Sequence, residues 1–291
     1  MYQWIEQLAD LYPIARICKV LSVSKSAYYA FKQGQTYHQK ENNPMIVYVF
    51  QKHKRRYGTR RLRVELQEQG LSLGRYRIRK VLKANGLRAI QPKSFVPRTT
   101  DSGHGKRNSP NLLLDLAGNR LCRATAPDSV WVSDITYLPM GDGSFTYLAT
   151  WLDLFSRHIV GWQVENHMGE TLIISALEKA LFKRNPAPGL ILHSDRGGQY
   201  VSDRLRKIIK PYRQSMSRKS DSYDNAFAES LFSRFKAELL QGGSFLSLED
   251  ARTEIFEYIE MYYNPVRRHS ALGYKSPMQF EKNFHINLSK P

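Results

Sequence analysis

Leu190-Ile-Leu-His-Ser-Asp195-Arg-Gly-Gly-Gln-Tyr200 is the stretch on which the fold turns. Its apolar start, Leu190 to Leu192, has the length and composition of a short buried strand. A polar, glycine-containing turn follows and leads into a helix-like segment, Ser202 to Ile209. A carboxylate at the end of a buried strand is held rigidly by the sheet and opens onto a crevice, where open α/β sheets place their chemistry. A lone strand-end Asp more often only caps the next helix. Asp195 therefore needs company before it means more.

Two segments supply that company. In Val130-Trp-Val-Ser-Asp134-Ile-Thr-Tyr-Leu138, apolar and β-branched residues surround one acid, which marks a strand with a charge in its middle. Such a carboxylate is costly unless a cation or hydrogen bonds compensate it. In Tyr223-Asp-Asn-Ala-Phe-Ala-Glu229-Ser-Leu-Phe-Ser-Arg-Phe-Lys236, the residues Phe227, Leu231, Phe232 and Phe235 recur at helical spacing. Glu229 and Lys236, seven positions apart, project from similar faces. Asp134, Asp195 and Glu229 are thus three acids on three elements. Converging acids repel unless a divalent cation sits among them, and hard oxygen ligands suit Mg or Mn.

These stretches resemble the catalytic core of DDE transposases and retroviral-type integrases, and more narrowly the second-reading-frame product of the insertion-sequence-three family. The resemblance rests on Trp131–Tyr137, Asp153-Leu-Phe-Ser-Arg157, His193–Gly197, Gln214-Ser-Met-Ser-Arg218, Asp224–Glu229, and Tyr263-Asn-Pro-Val-Arg-Arg-His269 with Gly273-Tyr-Lys-Ser-Pro277, spread in order over most of residues 40 to 280. The interval between Asp195 and Glu229 is slightly shorter than the family pattern, with the shortfall placed around Lys210–Arg213. The resemblance implies a ribonuclease H-like, integrase-core α/β domain preceded by small all-α helix-turn-helix modules. It implies a metal-dependent polynucleotidyl transferase in which Asp134, Asp195 and Glu229 are catalytic and hold two Mg or Mn ions. It also implies homo-oligomers on paired element ends and a first-reading-frame partner, either separate or fused. Strand cleavage and 3′-hydroxyl strand transfer are the expected reactions. A non-catalytic DNA-binding remnant and a purely hydrolytic nuclease are the rivals.

Composition points the same way. The 291 residues carry 44 Lys and Arg against 26 Asp and Glu, a net +18, which suggests a polyanionic partner, nucleic acid first. No apolar run approaches a membrane span, and the start has no signal-peptide pattern. Cys18 and Cys122 have no metal spacing. The expected setting is a prokaryotic cytoplasm, on the nucleoid when DNA is bound.

The chain divides into five expected parts. Residues 1–35 have a helix-turn-helix shape, with Ile14, Ile17, Val20 and Leu21 as one stripe, Ser24 as a cap and Gly34 as a stop. Residues 36–90 form a basic module. Its two predicted helices run from Thr59 to Gly70 and from Gly74 to Asn85-Gly86, burying Leu62, Leu66, Ile78, Val81 and Leu82. Residues 52–107 hold seventeen Lys and Arg against Glu65, Glu68 and Asp101, a density that favours nucleic-acid binding over a merely solvated face. Residues 91–128, rich in Pro and Gly, read as a linker. Residues 129–241 form the core, with strands at 130–138, 145–153 and 157–165, a helix at 169–184, the Asp195 strand, a second helix, a short strand near 213–217 and the Glu229 helix.

Residues 242–291 hold a last helix, begun by a capping-box-like Ser247–Asp250, with Ile255, Ile259 and Phe256 facing the core, and a basic tail. Candidate DNA contacts are Lys236, Arg196, Arg218, Lys219, Arg55, Arg56, Arg60, Arg61, Arg267, Arg268 and His269. Asp153 reads as structural, pairing Arg157. His193 reads as a hydrogen-bonding residue rather than a metal ligand.

Overall fold

The structure, a computed structural model, describes residues 1–34, 43–92, 108–114, 119, 124–217 and 226–289, with the side chains of the Glu229 helix described from Ser230 onward. At its centre lies a five-stranded sheet of order β3-β2-β1-β4-β5, formed by β1 (Val130–Pro139), β2 (Phe145–Asp153), β3 (Ile159–Glu165), β4 (Ile191–Ser194) and β5 (Arg213–Met216). The first three strands form an antiparallel meander. Then β4 and β5 add in parallel on the other side of β1, so crossover helices are required between them.

Alternation along the strands sends side chains to two layers. Trp131, Ala149, Trp151, Val160, Leu192 and Met216 pack under α7 (Glu170–Arg184) and α8 (Asp203–Ile208). Val132, Leu138, Leu148, Leu152, Ile159 and Val164 pack under α9 (Ala226–Leu240) and α10 (Leu248–Phe256). The order βββαβαβα matches the sequence reading, and the tight turn 209–212 joins α8 to β5, where the shortened interval was placed. Gly161 sets how close α7 lies: a Cβ there would sit 2.3 Å from the Ala176 carbonyl oxygen.

Two helical clusters precede the sheet. The first comprises α1 (Tyr2–Leu8), α2 (Ile14–Val20) and α3 (Lys25–Lys32), packed around Ile5, Ile17, Cys18 and Tyr28. Val20, expected in its stripe, is 76% exposed, because the buried positions of α2 are Ile17 and Cys18 instead. Ser24 makes no capping hydrogen bond and meets Ser26 Oγ at 2.6 Å. The second comprises α4 (Pro44–Lys52), α5 (Thr59–Glu68) and α6 (Arg75–Ala84). All five residues predicted to bury there do so. The helix α5 starts at Thr59 as expected, after the N-cap Gly58, and α4, capped by Asn43 with Pro44 in its first turn, has no counterpart in the sequence reading.

Of the expected linker, residues 108–114 run along β5, tied by the Met216 N–H to the Pro110 carbonyl (3.2 Å) and the Leu112 N–H to Ser215 Oγ (2.9 Å). Asp153 is fully buried and structural, as expected. Its carboxylate accepts from the N–H groups of Asp128, Phe155 and Ser156 and from Ser156 Oγ, while Arg157 joins through its main-chain N–H to the Asp153 carbonyl. These donors replace the expected Arg157 ion pair. Burial raises the pKa of this carboxyl and the amides pull it back.

The C-terminal part is more than one helix. After α10 the chain widens into a π-helical segment, Glu257–Tyr263, and α11 (Pro277–Leu288) closes the domain. Phe256, expected in the core, is 49% exposed, whereas Ile255 and Ile259 are fully buried. In α11, Glu281 accepts both terminal nitrogens of Arg184 (2.8 and 2.9 Å), Ser156 Oγ (2.6 Å) and His158 Nδ1 (3.2 Å). Burial alone would raise its pKa, but these donors outweigh it and hold the group at about 2.

Replacing Glu281 by Gln would remove the carboxylate that takes both terminal nitrogens of half-buried Arg184 and leave that cation with Asp128 alone, 2.9 Å from its Nε. With one carboxylate remaining, the expected loss is about 2 kcal/mol in urea unfolding at pH 7, below the roughly 3–5 kcal/mol of a fully unpaired buried charge. Because the folded pKa lies below the unfolded value of 4.5, this contribution is present above pH 4.5 and fades as pH falls toward 2. The variant's deficit should shrink over that window.

Candidate active site and nucleic-acid interface

The ladder between β1 and β4 keeps a constant offset, Val130 with Ile191 and Val132 with His193. Two residues further on, Asp134 comes level with Asp195. Since β4 ends at Ser194, the strands part there, and both half-buried carboxylates stand at the split. The Ile135 N–H donates to Asp134 Oδ1 (2.9 Å) and the Gly197 N–H to Asp195 Oδ1 (3.0 Å). A Cβ at Gly197 would lie 3.1 Å from that same Asp195 oxygen, so glycine keeps the loop close.

Tyr200 is buried nearby and shares a 2.8 Å hydrogen bond with Ser133 Oγ. Burial, then the charges of Asp195 and Asp134, push its hydroxyl well above the usual tyrosine range. One hydroxyl thus feels both acids, as convergence requires. His193 is fully buried with Nδ1 on Ser215 Oγ at 2.8 Å, the hydrogen-bonding role expected of it.

Asp134 shares the face of Val132, the one covered by α9. On that helix Lys236 is half-buried, its ammonium 4.1 Å from the Tyr137 ring centroid. Burial lowers its pKa and attraction to Asp134 opposes the shift, so the lysine lies in the field of the first acid. Glu229 stands on α9 two turns before Lys236. Its side chain, like Arg218, Lys219 and Asp224, lies outside the described residues. Among the described residues no three His, Cys, Asp or Glu side chains gather so as to hold a metal ion. Asp134 and Asp195 by themselves form a pair of rigidly placed, hard oxygen donors, the kind that magnesium or manganese takes.

Comparison with known proteins fits this geometry. The Integrase core domain family matches residues 124–222 and, through a second family of that description, 211–277. An HTH-like domain matches residues 39–95. The transposase InsF of insertion sequence IS3A from Escherichia coli K12 is 37% identical over 288 residues, covering 96% of this chain and 98% of the relative. The transposase of insertion sequence element IS904 from Lactococcus lactis is 40% identical over 236 residues, covering 80% and 90%. The chain belongs to the IS3-type family of insertion-sequence transposases.

In this transposase several expected DNA contacts are internal. Arg267 is 2% exposed, and its Nε and Nη2 grip Glu238 at 2.8 and 2.6 Å. Arg268, 9% exposed, reaches Glu65 at 2.7 Å and Glu68 at 2.9 Å. Arg61 lies 3.7 Å from Glu238. Arg56 stacks on Tyr262, 4.5 Å from the ring centroid, and donates to the Glu238 carbonyl. His269 is half-buried beside Arg267 and Tyr263. Burial first, then Arg267, Arg61 and Arg157, hold its pKa at about 2, so it is neutral and carries no charge for phosphate. Arg196 spends its Nε on the Ser217 carbonyl at 2.7 Å. Arg267, Arg268, Arg61 and Arg56 therefore serve the protein's own carboxylates, carbonyls and rings rather than an open phosphate surface.

Arg55 and Arg60 remain exposed, and so does every cation of α6: Arg75, Arg77, Arg79, Lys80 and Lys83, with no acid on that helix. Sequence reading missed Glu238. Its signal was present, since Leu231, Phe235 and Glu238 follow helical spacing on one stripe, and an acid there must find a cation.

Unfolded His269 takes a proton near pH 6.5, and the folded form does not until about pH 2. Stability should therefore fall as pH drops below 6.5, with a slope of up to about 1.4 kcal/mol per unit from this group. Denaturant unfolding at pH 7, 6 and 5 should show a flatter dependence in His269→Gln than in the native chain.

Proposed function

We propose that this transposase cleaves DNA at the ends of its element and joins the freed 3′-hydroxyl to a second phosphodiester. In cleavage, the oxygen of water bonds to phosphorus and the 3′-oxygen leaves as a hydroxyl. In joining, that hydroxyl attacks a target phosphodiester and displaces the target's own 3′-oxygen. The observation that carries the reading is the β1–β4 register, which sets Asp134 level with Asp195 under the helix bearing Glu229.

Asp134, Asp195 and Glu229 would hold magnesium or manganese, two ions per site, which supply Lewis-acid charge at the scissile phosphate. The chain's own residues do the rest. The Ile135 and Gly197 amides fix the carboxylate oxygens. Tyr200 and Ser133 keep a protonated hydroxyl pair beside them. Lys236 offers a point charge for backbone phosphate near Asp134.

The duplex itself is gripped by the basic module. Its α5 is committed to Arg268 through Glu65 and Glu68, which leaves the wholly cationic outer face of α6, with exposed Tyr76, as the surface for a DNA groove. The module boundaries of the sequence reading serve as the working division of the chain. The setting is a prokaryotic nucleoid, and the partners are further copies of this chain on paired ends and a first-reading-frame product. No helix among the described residues is long and apolar enough to cross a membrane.

The test uses labelled duplexes carrying the DNA that flanks the reading frame, a plasmid target and Mg. Native protein should yield joined products. Asp134→Asn, Asp195→Asn and Glu229→Gln should each lose cleavage and joining while retaining DNA affinity. Cleavage without joining would make the chain a hydrolytic nuclease on the same core. Wild-type joining by Glu229→Gln would move the third acid elsewhere.

Changing Arg75, Arg79 and Lys83 together to Ala should reduce the slope of log affinity against log salt by about one for each phosphate that is no longer neutralised. A slope unchanged in that variant would remove α6 from the interface.

A further inference from the structure

The adjacent pair Arg267-Arg268 points in two directions. Arg267 holds α9, through the Glu238 carboxylate. Arg268 holds α5 of the basic module, through Glu65 and Glu68. The same junction is reinforced by Tyr57, whose hydroxyl donates to the Val266 carbonyl at 3.2 Å and accepts from the Arg268 N–H at 3.0 Å. Arg56, at the foot of the module, closes it from the other side by donating to the Glu238 carbonyl at 3.2 Å. The segment carrying both arginines is anchored on the sheet by Asn264, whose side chain bonds the Ile159 N–H and carbonyl at 3.0 and 3.1 Å. Three parts of the chain therefore meet at two consecutive residues: sheet, α9 and module.

We propose that Arg267 and Arg268 are positioning residues, a two-armed bracket that fixes where the basic module holds DNA relative to the acids of the core. The proposal rests on the reading that the module binds DNA and that α9 carries the third acid. Its physical content is geometric. Lone carboxylates such as Glu238 and Glu65 are expensive to bury, so each selects the one orientation that keeps its arginine fork. The forks share a backbone, so α5 cannot shift against α9 without breaking one of them. A rigid bracket matters because a misplacement of the scissile phosphate by about 1 Å costs about a hundredfold in rate. A loose module would still bind DNA but would present it badly.

The experiment compares Arg268→Ala with the double variant Glu65→Gln, Glu68→Gln in the full chain. Three readouts are taken: affinity for flanking-sequence duplex, joining rate at saturating duplex, and the distance distribution between spin labels on Tyr48→Cys and Phe182→Cys, made in a Cys18→Ser, Cys122→Ser background. Tyr48 and Phe182 are 59% and 93% exposed, one on α4 of the module and one on the core.

The bracket predicts the same outcome for both variants: near-native affinity, joining slowed on the order of a hundredfold, and a broadened label distance. A direct DNA contact by Arg268 predicts opposite signs, with weaker binding on losing the cation and tighter binding on losing the acids; that result would overturn the proposal. So would a narrow label distance with native joining in both variants.

Glu68→Gln alone is the mild variant if Arg268→Ala does not fold, because the Glu68 side chain is 58% exposed and Arg268 keeps Glu65. It should broaden the distance in the same direction. Glu229→Gln is run alongside. If it joins normally, the assignment of the third acid fails, while the label distances still decide the bracket.

Discussion

Glu238 is an acid inside an apolar layer, and it stays ionised there because Arg267 brings it two hydrogen bonds while Tyr258 brings a third at 2.9 Å. Burial works to raise its pKa, and Arg267 and Arg61 with these hydrogen bonds more than reverse that. Much of the outer architecture follows from this one requirement. Arg267 must reach the sheet side of α9, so the chain after α10 must turn inward at that level. The π-helical segment turns it, with Tyr258, Ile259 and Tyr263 buried along one side. Arg268 is then delivered to the module as the next residue. Removing the Glu238 carboxylate would leave Arg267 and Arg61 beside each other with their shared counter-charge gone.

The inner architecture depends on a different constraint, the opposition between register and repulsion. Parallel pairing of β1 with β4 forces Asp134 and Asp195 side by side, although like charges disfavour it. The sheet can impose that cost because Val130, Trp131, Leu192 and Met216 are fixed by burial. Slipping β4 by one residue would separate the acids, but it would also turn Leu192 out of the α7 layer. Core packing thus holds an arrangement that electrostatics alone would not keep. That is the condition under which a multivalent cation or a cationic residue such as Lys236 becomes useful.

The core was legible because two periodicities dominate it. The strands at 130–139, 145–153 and 213–216 and α7 at 170–184 lie within a residue or two of where alternation and helical spacing put them. Asp134 and Asp195 were legible as an acid in the middle of one buried strand and an acid just past the end of another. Other features escaped for identifiable reasons. The helix α4 has an aromatic-rich sequence with no polar stripe, and only Asn43-Pro44 betrayed its start. Val20 and Phe256 fit apolar stripes, yet each lies at the margin of a helix whose neighbours cover only part of that stripe. The C-terminal arginines misled because charge density along a sequence does not reveal where acids from distant segments return. Glu65 and Glu238 are each far from Arg268 and Arg267 in the chain and touch them in space.

Which cations went inside follows from the chemistry of the two side chains. The buried or half-buried ones at the module junction, Arg56, Arg61, Arg267 and Arg268, are all arginines, whose planar forks satisfy a carboxylate with two bonds or lie flat on Tyr258 and Tyr262. Lys52, Lys54, Lys80 and Lys83, of the same module, stay at the surface, where an ammonium keeps its hydration. The surplus of +18 therefore divides by residue type as well as by position. Part of it stabilises the junction that fixes the module. The remainder, concentrated on α6 and its flanks, is left facing outward, where a polyanion can displace its counterions.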